Sequence, residues 1–330
     1  CSIGLYRVKY ESKTLARLNE PIANKILSPQ DRLMVQNDIA ALCYASHQSF
    51  VDYLKLLLSY TNEDNFTVWK AIVSNMADLS SLLEYTDYFD EFKKYNLDLF
   101  STIQKKLGWN AKPDEDPLLT MLRPMILTFV GKSGNQEVIN EARKRFERHL
   151  AGDLIDPNFR ETVYILVSRY GDENTQDTLR KLYGAADMTE EKVRLLRSMG
   201  QSLKLKIIED TLKFVFESDN VRMQDTISGL IGCTSTCVGR DLVWKFLRKN
   251  WTTLVERFGE KSNFLAYFVE YGLSEFADEK IANEIKSFFE TINLPIIARP
   301  VNKVLETIHM RSEVLKHDSK AIKDYLKQWQ

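Results

Sequence analysis

The chain has 330 residues, and 45 Lys and Arg against 46 Asp and Glu leave a formal net charge of −1. That balance excludes a nucleic-acid binder working by bulk charge, because neutralising phosphates needs a cationic excess. Hydrophobic residues at 44% and charged residues at 28% describe ordinary globular material, and only 13 Gly and 8 Pro leave few turn formers for an all-β sandwich or a nucleotide-binding α/β fold.

Four Cys in this length make no disulfide framework and fit a reducing, cytoplasmic setting. No run of about 18 apolar residues occurs, so no membrane span is expected. The opening Cys1-Ser2-Ile3-Gly4 has no initiator Met, charged region or apolar core, which is not a signal peptide and reads as the interior of a longer protein.

Leu5-Tyr6-Arg7-Val8-Lys9-Tyr10 alternates in the manner of a strand. A lone strand cannot satisfy its backbone groups. Residues 1–10 are therefore expected to be the last strand of a sheet lying upstream, and residues 11–330 a helical domain. Val68, Trp69, Ile72, Val73, Met76, Leu79, Leu82 and Leu83 recur at steps of three and four, one apolar stripe on a helix. Ile281, Ile285, Phe288, Phe289 and Ile292 repeat the pattern, as do Leu242, Val243, Phe246, Leu247, Trp251, Leu254, Val255 and Phe258. Ser28-Pro29, Asp116-Pro117 and Asp156-Pro157 each put a capping side chain before a proline at the first helical position. Thr189-Glu190-Glu191 offers a cap and an acidic first turn.

Helix starts are expected near residues 28, 49, 65, 87, 117, 135, 156, 172, 189, 203, 222, 239, 262, 278, 296 and 318. The mean step is about 19 residues, so a helix pair recurs near the lower edge of HEAT and armadillo spacings. The expected fold is all-α: a superhelical array of antiparallel helix pairs, bowl-like, with one orphan N-terminal β-strand. Gly108 to Asp116 is the longest irregular stretch.

A search for chemistry returns no catalytic constellation. None of His47, His149, His309 and His317 is followed by Glu, so the helical His-Glu-x-x-His zinc motif is absent, and the four read as isolated surface or capping side chains. Cys233 and Cys237 lack a second pair for zinc and read as buried or half-buried thiols. Gly131-Lys132-Ser133 lacks the earlier glycine of a phosphate loop, since Ile126 stands there, and reads as a helix terminus with Gly131 and Gly134. The sequons at Asn65 and Asn250 have no secretory context. Arg143-Lys144-Arg145 with Arg148, and Arg248-Lys249, read as solvated helix faces.

Several stretches, in order and across essentially the whole chain, resemble the C-terminal helical domain of the M1 zinc aminopeptidases, closest to the puromycin-sensitive branch. They are Gly4-Leu5-Tyr6-Arg7-Val8-Lys9-Tyr10, Leu27-Ser28-Pro29-Gln30-Asp31-Arg32-Leu33 with Gln36-Asn37-Asp38, and Phe66-Thr67-Val68-Trp69. Leu107-Gly108-Trp109 and Asp187-Met188-Thr189-Glu190-Glu191-Lys192 follow. Val221-Arg222-Met223-Gln224-Asp225-Thr226 and Trp244-Lys245-Phe246-Leu247-Arg248-Lys249-Asn250-Trp251 complete the set.

The resemblance implies a parent enzyme that removes N-terminal residues from peptides. Its zinc and general base would lie on an upstream catalytic domain, joined through a β-sandwich whose last strand is residues 4–10. No metal or cofactor is expected in this chain, and its partners would be those upstream domains and peptide substrates, with no nucleic acid and no membrane. The helical domain would close over the active site and gate it. Some relatives hold a peptide C-terminus with a basic residue just after the helix that here spans Glu190 to Ser198; this chain has the uncharged Gln201 there. Arg123, Arg160 and Gln201 are the substrate-groove candidates, and none is catalytic. The alternative is a stand-alone helical-repeat scaffold binding a protein partner on its concave face.

Overall fold

A computed structural model describes residues 6–329. Among them are sixteen α-helices and three one-turn 3-10 segments, and no strand. In chain order the helices are α1 Ser12–Ala23, α2 Pro29–Tyr44, α3 Phe50–Leu57, α4 Phe66–Leu83, α5 Phe89–Leu107, α6 Pro117–Lys132, α7 Gln136–Leu150 and α8 Pro157–Arg169. They continue as α9 Glu173–Ala185, α10 Thr189–Met199, α11 Leu205–Glu217, α12 Thr226–Cys233, α13 Cys237–Phe258, α14 Asn263–Leu273, α15 Glu279–Glu290 and α16 Pro295–Leu326. The all-α expectation holds.

The proline-marked starts are the ones the sequence identifies. Ser28 caps α2 through the Asp31 amide at 3.1 Å, and Asp116 and Asp156 cap α6 and α8 through the Leu118 and Asn158 amides, both at 2.9 Å. Each side-chain oxygen satisfies an amide that has no intrahelical partner. The expected Gly134 terminator follows α6 with φ 97°, a conformation glycine adopts without steric cost.

Three expectations change. The strand over Leu5–Tyr10 is not seen in its described part: residues 6–10 are irregular, and Leu5 lies outside the described residues. No ladder partner exists among the described residues; side chains hold the segment instead. Arg7 Nη1 donates to Asp38 at 2.9 Å, the Val8 amide donates to Asp38 at 3.2 Å, and Gln48 donates to the Tyr10 carbonyl at 3.1 Å. Next, α1 was not expected; its polar composition leaves only Leu15 and Ile22 buried. Finally, no helix starts near residue 318, because α16 runs unbroken through it. Asp318 caps a different helix: it accepts from Ser49 Oγ at 2.7 Å and from the Phe50 amide, at the start of α3.

The chain divides into two compact units, Cys1–Val138 with Glu313–Gln330, and Ile139–Ser312. In the first, α4 packs on α2 and on α6, with α3 and α5 alongside. Its centre is aromatic: Trp69 is fully buried, 5.1 Å from Phe100, which lies 4.5 Å from Phe129. The end of α16 ties in through Tyr88 Oη to Ser319 Oγ at 2.8 Å and Tyr95 against Trp329 at 5.0 Å.

In the second unit α8, α10, α12 and α14 form a row of next-but-one neighbours, with α9, α11 and α13 packed beside them. α8 and α10 run the same way, since Tyr164 meets Glu191 near the start of α10 and Ser168 meets Met199 at its end. Two glycines set the spacing of α10 and α12. A Cβ on Gly200 would sit 2.3 Å from the Cys233 amide nitrogen, and one on Gly232 would sit 2.3 Å from the Arg197 carbonyl oxygen. Neither backbone can yield, so these positions accept no side chain.

Candidate functional site

A cluster of ionisable side chains in the second unit lies where the end of α7 and the faces of α8 and α10 meet. Arg160 and Tyr164 are one turn apart on α8, so they share a face. Glu191 sits in the first turn of α10, where the helix dipole favours a carboxylate, and Arg194 follows it three residues later.

A chain of hydrogen bonds links them, and donor counting fixes its direction. The Ile155 amide donates to His149 Nδ1 at 3.4 Å, so the imidazole proton resides on Nε2. That nitrogen lies 3.1 Å from Tyr164 Oη and donates to it. Tyr164 uses its one proton toward Glu191 Oε1 at 2.9 Å. The other carboxylate oxygen receives Arg194 and lies 3.5 Å from Arg160 Nη1. Arg160 Nε also donates to the Ile155 carbonyl at 3.2 Å, which fixes the loop before α8.

Electrostatics agree with this order. Burial pushes the His149 pKa below its ordinary 6.5, the neighbouring Arg160 charge adds to the fall, and Glu191 opposes it. Tyr164 is pushed well up, by burial first and then by its hydrogen bond to Glu191. A tyrosine held protonated and an imidazole held neutral between fixed partners do not form an activated nucleophile. Arg160 and Arg194 keep 23% and 26% of their side chains exposed. Two guanidinium groups against one carboxylate leave the cluster one positive charge.

Of the three groove candidates, Arg160 alone belongs to this cluster. Arg123 is fully buried: Nη2 grips Glu115 at 2.6 and 2.7 Å, and Nε donates to the Leu107 carbonyl at 3.0 Å, at the end of α5. Buried arginines do similar work elsewhere. Arg240 donates to the Thr234 carbonyl at 3.0 Å after α12, and Arg311 to the Phe276 and Glu275 carbonyls at 3.2 and 3.1 Å after α14. These groups satisfy carbonyls that the helix ends leave orphaned. Gln201 is buried just beyond α10, with Oε1 unpartnered among the described residues. Neither Arg123 nor Gln201 presents a donor to an open surface.

Sequence reasoning missed Glu191, Tyr164 and His149 as a unit. Glu191 was legible only as part of a helix start, and nothing local links it to Tyr164, 27 residues away. His309 is not isolated either: Glu279 lies 2.8 Å from its Nδ1. Cys233 is buried, its thiol pushed up to about 12 by burial, and Cys237 is half-buried, matching the reading of packed thiols. Asn65 and Asn250 have local work: Asn65 caps α4 through the Thr67 amide at 3.0 Å, and Asn250 donates to the Phe246 carbonyl at 2.9 Å.

The ERAP1-like C-terminal domain family matches residues 2–310 of the chain. An aminopeptidase M1 of Arabidopsis thaliana is 31% identical over 322 residues, which cover 94% of this chain and 36% of the relative. Aminopeptidase M1-B of Oryza sativa is 30% identical, covering 93% of this chain and 36% of its own length. A puromycin-sensitive aminopeptidase of Caenorhabditis elegans is 25% identical, covering 98% of this chain and 35% of itself. The chain therefore spans about a third of the length of the curated relatives it matches.

Proposed function

Because the chain belongs to the ERAP1-like C-terminal domain family, we propose that it is the substrate-gating domain of a zinc-dependent M1 aminopeptidase of the puromycin-sensitive type. In this reading it has no hydrolytic activity of its own. It closes over a catalytic site supplied by upstream domains and contacts the distal part of the peptide. The observation that carries the reading is the family match from residue 2 to residue 310, supported by relatives of the same class along at least 93% of the chain.

Within that reading residues 1–10 belong to the end of an upstream β-sandwich, and residues 11–330 to a curved helical array. In this reading Arg160 is the groove residue: positive, beside Glu191 and with 23% of its side chain exposed, it meets a carboxylate of the peptide. Zinc belongs with the upstream catalytic domain. His149 has both ring nitrogens engaged, Nδ1 by the Ile155 amide and Nε2 by Tyr164. Exposed His309 lies 2.8 Å from Glu279 through Nδ1. No described helix is long and apolar enough to cross a membrane. In this reading the protein is cytoplasmic, in keeping with its free cysteines.

The direct test is an aminopeptidase assay on the purified 330-residue chain, with and without added zinc. The account expects no hydrolysis of aminoacyl or peptide substrates. Hydrolysis that a chelator abolishes would overturn it.

A further inference from the structure

Away from the α8–α10 cluster, α11 and α13 flank an open cleft of about 330 Å3. That volume is near the lower end of small-ligand sites, roughly 300–1,000 Å3. Leu212, Leu242 and Phe246 line it with apolar surface, and the Asn250 amide is already turned to the Phe246 carbonyl.

Charge is uneven across it. Lys245 and Lys249 stand one turn apart on the α13 wall, and Lys213 stands on the α11 wall between Glu209 and Glu217. Among the described residues none of these three ammonium groups has an ion-pair partner, whereas neighbouring Lys206 pairs with Asp210 at 2.9 Å and Arg248 lies 3.5 Å from Glu284. Asp241, one turn back on α13, feels Lys245 without pairing with it. Two ammonium groups one turn apart repel each other mildly, and an anion between them relieves this. The basic pair Arg248-Lys249 thus splits: Arg248 stacks over Trp244 at 5.6 Å, and Lys249 faces the cleft.

We propose that the α11–α13 cleft binds a small carboxylate with an apolar tail, the tail on Leu212, Leu242 and Phe246 and the carboxylate between Lys245 and Lys249, reached also by Lys213. This site is independent of the proposed gating role, since it uses none of the α8–α10 residues. The apolar lining selects against inorganic anions, which gain nothing from it, and the lysines select against neutral and cationic amphiphiles.

Octanoate is the probe, titrated into the 330-residue chain and followed by calorimetry and by amide resonances of Phe246 and Asn250. Saturable binding is expected, with shifts confined to α11 and α13. Octyltrimethylammonium and acetate are expected to bind at least tenfold more weakly. The Lys245→Gln, Lys249→Gln double variant is expected to lose at least tenfold in affinity with an unchanged melting curve, since both side chains are exposed. Glu209→Gln with Glu217→Gln is expected to bind octanoate more tightly. Equal affinity for octanoate and octyltrimethylammonium, shifts elsewhere in the chain, or undiminished binding by the lysine variant would overturn the proposal.

Discussion

The aromatic centre of the first unit is shut off from water, while the α8–α10 seam of the second keeps its arginines partly exposed, and the two are held by different physics. Around Trp69, Phe100 and Phe129 the stabilisation is apolar area and packing, with one directional anchor: Trp69 Nε1 donates to the Glu63 carbonyl at 2.9 Å. At the seam, the chain from Ile155 through His149 and Tyr164 to Glu191 and the two arginines fixes direction and charge more than it adds energy. Packing of the first kind loses stability in proportion to the volume removed. A polar chain of the second kind has a definite proton order, and a single wrong donor breaks it.

The contrast predicts a ladder of effects. Trp69→Ala is expected to cost most, about 3–5 kcal/mol, because it leaves a cavity and an unpaired carbonyl; urea denaturation of the chain measures it. Close behind is the ion pair beneath it, Arg32 to Glu63 at 2.6 and 2.9 Å, with both side chains almost wholly buried. Glu63→Ala strands the guanidinium and is expected to cost about 3 kcal/mol or more, whereas removing both charges together with Met and Leu is expected to cost much less. At the seam Tyr164→Phe is expected to cost only about 1 kcal/mol, one hydrogen bond with its partners still able to find water. A Tyr164→Phe loss as large as that of Trp69→Ala would erase the distinction between the regions.

The smallest effect is in pH. His149 is harder to protonate in the folded chain than in the unfolded one, whose ordinary value is 6.5. As pH falls through 6.5, the unfolded state takes up a proton that the folded state resists, so stability declines until the folded pKa is passed; above that window the contribution is flat. The difference in stability between the parent chain and His149→Phe is expected to change as pH falls below about 7, until the folded pKa is passed, and to stay flat above that. A constant difference across that range would show that His149 titrates alike in both states. Its assigned proton order would then be wrong.

What the sequence could disclose follows the same division. Apolar stripes and proline-marked caps are local patterns, so α2, α4, α6, α8 and α13 were legible at nearly their true starts. The end of α16 was not, because Asp318 resembles a cap for its own helix while it serves α3, 268 residues earlier in the chain. Arginine roles were equally hidden. Arg123 and Arg160 look alike in sequence, yet one lies buried against Glu115 and the Leu107 carbonyl and the other stands half-exposed at Glu191. A charge that finds its partner through tertiary packing leaves no periodic trace. The strand-like pattern of residues 5–10 forms no ladder over its described part, residues 6–10, because a strand needs a second strand and none lies among the described residues.

The gating account rests most directly on substrate length. In the aminopeptidase that the account proposes, kcat/KM would be measured for a single aminoacyl substrate and for a ten-residue peptide, with Arg160 and with Arg160→Gln. The account predicts a severalfold higher KM for the long peptide in the variant and no change for the short substrate. Equal effects on both, or no effect on either, would contradict it.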